Sequence, residues 1–365
     1  MPKRKTTAPT IVDVAARAGV SRATASRALS GYGRVNSATV DMVKQAAEAI
    51  GYRPNELARA MRAGKTKTIG LVIIADFTNA FFDRATKSIV DAASTNGYQV
   101  LITNTDEDIS AERAAVETLL EKQVDGLIVV PSSTALNDHL DDLHRAGTPL
   151  VLIDRSLEGD ELTSVTTNDF IGTSEAVRHA AALGHKRMAF LIATAGVDRF
   201  QENRPTRLIS SIANRVDGYL QGAKDCGIKS KAQSWLYCLD DPKVSEAAVA
   251  ALLDQPKPPT IIFTSNNDMC LAVLKVAGNR QLAIGRDISL VTVDDSQWAA
   301  AIVPGITVVA RPVEQLGQIA VQKLIDEMQH PGQPAEKIVL PTELIARQSV
   351  ANLVLRPELD PDFRE

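Results

Sequence analysis

The chain lacks what a membrane protein, a disulfide-stapled secreted protein or a metalloenzyme needs. No apolar run approaches the roughly 18 residues that span a bilayer, and the basic stretch Met1 to Thr7 has no apolar segment behind it, so the expected compartment is the cytoplasm. Its three cysteines, Cys226, Cys238 and Cys270, are odd in number, lack paired metal-ligand spacing and read as core thiols. The five histidines, His139, His144, His179, His185 and His330, make no metal-ligand motif, and no Gly-rich loop follows a strand to cradle a phosphate. The expectation is therefore no catalytic set, no cofactor and no metal. Aromatics are only 4% of residues, which leaves the core to aliphatic side chains and Ala, as suits stacked helices and parallel strands.

At 365 residues the chain exceeds the size at which single cores stop growing, so more than one domain is expected. The net charge of −4 hides a split near residue 67: residues 1–67 carry 13 Lys and Arg against 4 acids, net +9, and the remainder 27 against 40, net −13. That division puts the attraction for phosphate in the head and keeps the body off it.

Within the head, Thr10 can cap a helix over Ile11 to Ala18, whose Ile11, Val14, Ala15 and Ala18 share one face. Gly19 ends it and Ser21 can cap a second helix, Arg22 to Leu29, with Ala25, Ala28 and Leu29 inward and Arg22, Ala23, Ser26 and Arg27 outward. Two short helices about a glycine turn make a helix-turn-helix. Asn36 caps a third, Ser37 to Ile50, with Val40, Val43, Ala47 and Ile50 inward and Gly51 at its end.

Beyond Lys65 apolar strands alternate with amphipathic helices such as 84–95 and 110–122. IGLVIIA (69–75), YQVLITN (98–104), GLIVVP (126–131) and LVLID (150–154) read as buried parallel strands, and MAFLIA (188–193), TIIFTS (260–265) and ISLVTV (288–293) as a second series. Two wound sheets form two lobes, with ligands expected beyond the carboxyl ends of strands. Polar residues appear there: Asp76, Asn79, Asp154, Arg155, Asn266 to Asp268, Asp294 and Asp295.

The run TIVDVAARAGVSRATASRALSGYGRV, followed by AIGYRPNELARAM, resembles the head of the lactose-repressor (LacI) family, and AALGHKRMAFL, RVDGYLQGAKDCGI and SLVTVDDSQWA resemble its effector domain. The resemblance implies an all-α helix-turn-helix head with a hinge helix, then an α/β two-lobed body similar to periplasmic binding proteins. The expected division is a head over 1–52, hinge and linker over 53–67, an effector-binding and dimerising body over 68–350 and a tail over 351–365. It further implies a transcription regulator, by default a repressor, that binds a pseudo-palindromic operator under control of a sugar-like effector.

By resemblance Thr10, Ser21, Arg22, Ala23, Thr24, Ser26 and Arg27 of the head, and Asn55, Ala58, Arg59 and Met61 of the hinge, contact DNA. Arg22 and Ala23 face bases in the major groove. Met61, where relatives usually place Leu, wedges into the minor groove. Asn79, Phe81, Phe82, Asp154, Arg155, Arg215, Asn267, Asp294 and Arg311 are carried over to the effector site, a mix of carboxylates, arginines and aromatic faces that suits a polyol.

Two departures stand out. The segment 198–214 is longer than the family's usual connection, and Arg311 stands before Pro312 where sugar-binding relatives more often have Gln, which puts a simple neutral sugar in doubt while a free pentose or nucleoside stays slightly ahead of a phosphorylated ligand. Pointing inward, Arg311 would pair with a phosphate or carboxylate on the ligand, or else with Asp294 or another acid of the chain. The C-terminal ANLVLRPELDPDFRE has no heptad repeat, so a homodimer is expected, not a tetramer. The rival readings are an enzyme in the two-lobed body and a solute-binding protein serving transport; the basic head and missing signal peptide oppose the second.

Overall fold

A computed structural model of the chain describes residues 9–30, 35–52, 65–74, 79–159, 161–194, 201–202, 204–205, 208–230, 233–238 and 241–355. Two compact units divide at Lys67 and Thr68. The hinge residues Asn55, Ala58, Arg59 and Met61 lie outside the described residues, as do Asp76 and part of the segment 198–214.

The first unit holds α1 (Ile11–Arg17), α2 (Arg22–Ser30) and α3 (Ser37–Ala49). The Thr10 amide donates to the Asp13 carboxylate at 2.8 Å and so closes the start of α1. Gly19 takes φ +64°, a left-handed turn open to glycine at little cost, and the Ser21 hydroxyl accepts from the Thr24 amide at 3.1 Å to cap α2. Asn36 caps α3 through the Ala38 amide. Val14, Ala15 and Ala18 pack on Ala25, Ala28, Val43 and Ala47, so the apolar face read from each helix meets the other two.

The second unit is two open sheets. One has the strand order β11-β5-β4-β3-β1-β2 and is wholly parallel: β1 (Thr68–Ile73), β2 (Gln99–Asn104), β3 (Gly126–Val129), β4 (Leu150–Ile153), β5 (Thr163–Thr167) and β11 (Lys337–Leu340). The other runs β12-β10-β9-β8-β6-β7, from β6 (Met188–Ala193), β7 (Gln233–Cys238), β8 (Ile261–Thr264), β9 (Ser289–Val293), β10 (Thr307–Ala310) and β12 (Glu343–Ile345), with only β12 antiparallel. The helices are α4 (Ala80–Thr95), α5 (Ile109–Glu121), α6 (Asp138–Arg145), α7 (Asp169–Ala182), α8 (Ser210–Asp225), α9 (Pro242–Leu253), α10 (Asn267–Asn279), α11 (Gln297–Ala301) and α12 (Val313–Gln329).

The chain crosses between lobes after β5, after β10 and after β11, so the second lobe is not simply the later half of the sequence. Helix α12 returns to the first sheet, where Val313, Leu316, Ala320 and Leu324 join Ile69 and Ile89 in one core. The expectation of a buried strand over 98–104 is corrected: β2 pairs only with β1 at the sheet edge, and its Leu101 and Ile102 are exposed. Ala351 and Leu353 are buried, with the Leu353 amide donating to the Leu183 carbonyl, so packing continues three residues past the expected end of the body. No helix among the described residues is long and apolar enough to cross a membrane.

One close helix approach positions the site. A Cβ on Gly218 of α8 would stand 2.4 Å from the Phe170 carbonyl oxygen of α7, so only glycine lets the two helices meet there. That contact holds Arg215, almost one turn earlier on α8, beside Asp169 at the start of α7.

Candidate functional site

The carboxyl ends of both sheets open into a cavity of about 1000 Å³ between the lobes. Two aspartates occupy equivalent places in it. Asp154 follows β4 and Asp294 follows β9; their φ values are 64° and 74°, and each backbone amide donates to the neighbouring strand, at Val165 and Val309 respectively. Asp is among the few side chains that tolerate this left-handed region.

Arg311, after β10, joins them. Its Nε and Nη2 donate to the two oxygens of Asp294 at 2.6 and 2.8 Å, while Nη1 donates to Asp154 at 2.5 Å. All three residues are buried, and the guanidinium carbon lies 3.7 Å from the centre of the Phe81 ring. Burial by itself would lower the Arg311 pKa, but Asp294, Asp154 and Asp169 outweigh it and hold the group above its ordinary value. Arg311 therefore does point inward, and its partners are acids of the chain.

The other arginines are held just as firmly. Arg215 donates from Nε to Asp169 at 2.9 Å and from Nη1 to the Ser265 carbonyl at 2.7 Å, while Asp169 accepts from the Thr167 hydroxyl on its other oxygen. Arg155 donates to the Pro131 carbonyl at 2.9 Å and to Glu107. Contacts between the lobes surround this floor: Ser156 N donates to Ser210 Oγ at 2.9 Å, and Asn79 Nδ2 to Asp268 at 3.3 Å.

Of the residues expected at the site, Asn79, Phe81, Phe82, Asp154, Arg155, Arg215, Asp294 and Arg311 line the cavity, and Asn267 does not; its neighbours Asn266 and Asp268 do. Asn267 is buried at the start of α10 with its Oδ1 lacking a hydrogen bond. Phe81 and Phe82 pack edge to face at 5.0 Å within the core, and one face of Phe81 is covered by Arg311. Asp169 and Glu107 went unread in the sequence, and Asp268 was read only as a polar residue at a strand end. Each is identified only by an arginine or amide brought to it from far along the chain.

Asn79 caps α4, its Oδ1 accepting from the Phe81 and Phe82 amides, and touches the other lobe through Asp268. Asn79→Ala should lower the stability of the body by about 1 kcal/mol. An unchanged urea midpoint would show that neither contact matters to it.

On the head, α2 turns Arg22, Ala23 and Arg27 to solvent with Ser26 half-buried, while Ala25 and Ala28 face the core. Thr10 and Ser21 are exposed and Thr24 half-buried. Arg27 Nε donates back to the Ala23 carbonyl at 3.2 Å, which draws this side chain along the helix, and Arg22 projects from the first turn.

Comparison with known proteins agrees with both units. Residues 10–55 match the family described as bacterial regulatory proteins, lacI family, and residues 177–350 match the periplasmic binding protein-like domain. The HTH-type transcriptional repressor CytR of Escherichia coli (strain K12) is 30% identical over 354 residues, 96% of this chain and 99% of the relative. The solved transcriptional regulator CelR–cellobiose complex is similar with a TM-score of 0.67 at 26% identity, covering 93% of this chain and 99% of that one. The Lac repressor dimer bound to operator and the anti-inducer ONPF shares the fold at a TM-score of 0.81 and 23% identity, over 94% and 100% of the two chains.

Proposed function

The chain belongs to the LacI family of bacterial regulatory proteins, and from that membership we propose that it is a cytoplasmic homodimeric repressor whose hold on its operator is set by a sugar-like effector bound between the lobes. The family consists of DNA-binding transcription regulators, not enzymes. The observation that carries the reading for this chain is the exposed Arg22, Ala23, Arg27 face of α2 within a head and hinge, residues 1–67, of net charge +9. A side chain of Arg can make a bidentate pair with guanine, and Ala can meet a thymine methyl.

For the effector, support comes from the inter-lobe cavity and from the cellobiose held by the CelR relative. Asn79, Phe81, Asp154, Arg155, Arg215, Asp294 and Arg311 are the proposed contacts, with Asn267 behind them. Residues 1–52 form the reading head, 53–67 the hinge and linker with Asn55, Ala58, Arg59 and Met61 at the minor groove, and the chain from 68 the sensing and dimerising body. A ligand that draws the lobes together shifts DNA affinity only by its difference in affinity for the two states.

Selection of full-length protein against a random duplex pool should return a pseudo-palindrome of roughly 14 to 20 base pairs, since a two-fold dimer reads two half-sites. Sedimentation of the same preparation should give a dimer, and a sugar of the right kind should shift the affinity. Equal affinity for selected and scrambled duplexes would end the reading.

A further inference from the structure

Each cation among the described residues that line the cleft is already committed to a carboxylate. Arg155 is paired with Glu107, Arg215 with Asp169, Lys275 with Glu246, and Arg311 with both Asp154 and Asp294. Seven carboxylates against four cations line the cavity, so the excess is negative.

The pairs connect. Arg155 Nε stands 3.7 Å from Asp154 Oδ2, so an ion chain Glu107, Arg155, Asp154, Arg311, Asp294 crosses the floor from one lobe to the other, with three acids to two bases. Its acids are held in strained backbone. Of the seven non-glycine residues with left-handed φ among the described residues, four line the cavity, and Glu107, Asp154 and Asp294 are links of the chain. Such conformations cost about 1–3 kcal/mol each and persist where the surroundings over-determine them. Here each of the three links delivers its carboxylate to a guanidinium.

We propose that this ion chain makes the cleft selective for an uncharged polyhydroxylated ligand, a free sugar or nucleoside, and shuts out its phosphorylated or carboxylated counterpart. The proposal rests on the sugar-cleft reading above and lifts the doubt that Arg311 casts on a neutral sugar, because its charge is met by Asp154 and Asp294. A phosphate at Arg311 would meet a guanidinium whose charge is already neutralised by Asp154 and Asp294, and elsewhere in the cavity it would meet an excess of like charge. A hydroxyl group carries no charge and meets neither obstacle. A guanidinium has five N–H groups, of which Arg311 has three engaged, so two remain to donate to hydroxyl oxygens while the surplus carboxylates accept from hydroxyl hydrogens.

The test is calorimetric titration of the full-length protein with matched pairs: ribose and ribose 5-phosphate, glucose with glucose 6-phosphate and glucuronate, adenosine and adenosine 5′-monophosphate. At least one neutral member should bind, with its anionic partner tenfold weaker or more, about 1.4 kcal/mol. Asp154→Asn combined with Asp294→Asn, which frees Arg311 without removing it, should raise the affinity of the anionic member tenfold relative to the neutral one. The wild-type comparison decides by itself if that variant does not fold. An anionic member that binds wild type as tightly as its neutral partner would overturn the proposal and leave the sugar cleft standing. Failure of every member of every pair to bind would instead bring down the sugar reading, and the selectivity with it.

Discussion

Arg311→Met should destabilise the body by about 3–5 kcal/mol, because it removes the cation paired with two buried carboxylates and leaves Asp154 only its longer pairing with Arg155 at 3.7 Å. Met fills much of the volume and keeps an apolar contact with Phe81, so the loss of packing and of the cation–π contact accounts for only about 1–2 kcal/mol of this. The expected fall in thermal midpoint is roughly 10 °C. Adding Asp154→Asn and Asp294→Asn to the Met variant should recover most of it, since replacing a whole buried ionic set is far milder than breaking it. A fall of less than about 1 kcal/mol in the single variant would mean that water reaches the aspartates and screens them.

Arg22→Ala should weaken operator binding by about 1–3 kcal/mol and relax the preference at one base pair in each half-site. Arg22 is exposed and lies in the first turn of α2, where a cation opposes the helix dipole. Removing it should therefore leave the head at least as stable, and a loss of DNA affinity cannot be charged to unfolding. Competition binding against single-base operator variants reads the preference, and the slope of log affinity against log salt reads the phosphates. Equal loss on all sequences, with the salt slope reduced by about one, would reassign Arg22 to the backbone.

The head was legible because its information is local. Gly19 at a left-handed turn, Ser21 and Asn36 at helix starts, and apolar residues every three or four positions fix three short helices whose faces can only meet each other. Strand identity in the body was legible for the same reason where strands are buried on both faces, as in β6, read to the residue. It failed at β2, whose apolar run is that of a core strand but whose place is an edge, because position in a sheet is set by neighbours. Short or polar strands such as β5, and β11 and β12 after the last helix, carry too little periodicity to be read at all.

The sequence by itself determined which residues could do the chemistry: a basic helix-turn-helix, and acids and arginines at the ends of strands. Only the tertiary structure decided which of them face each other. Asp154 and Arg311 are 157 residues apart and Arg215 and Asp169 are 46 apart, and they meet because the chain crosses between the lobes three times and because Gly218 lets α7 and α8 touch. That pairing changes the meaning of Arg311 from a cation awaiting an anionic ligand to one neutralised from within. Residue type fixes the sign of a charge, but its availability depends on distances that only the fold supplies.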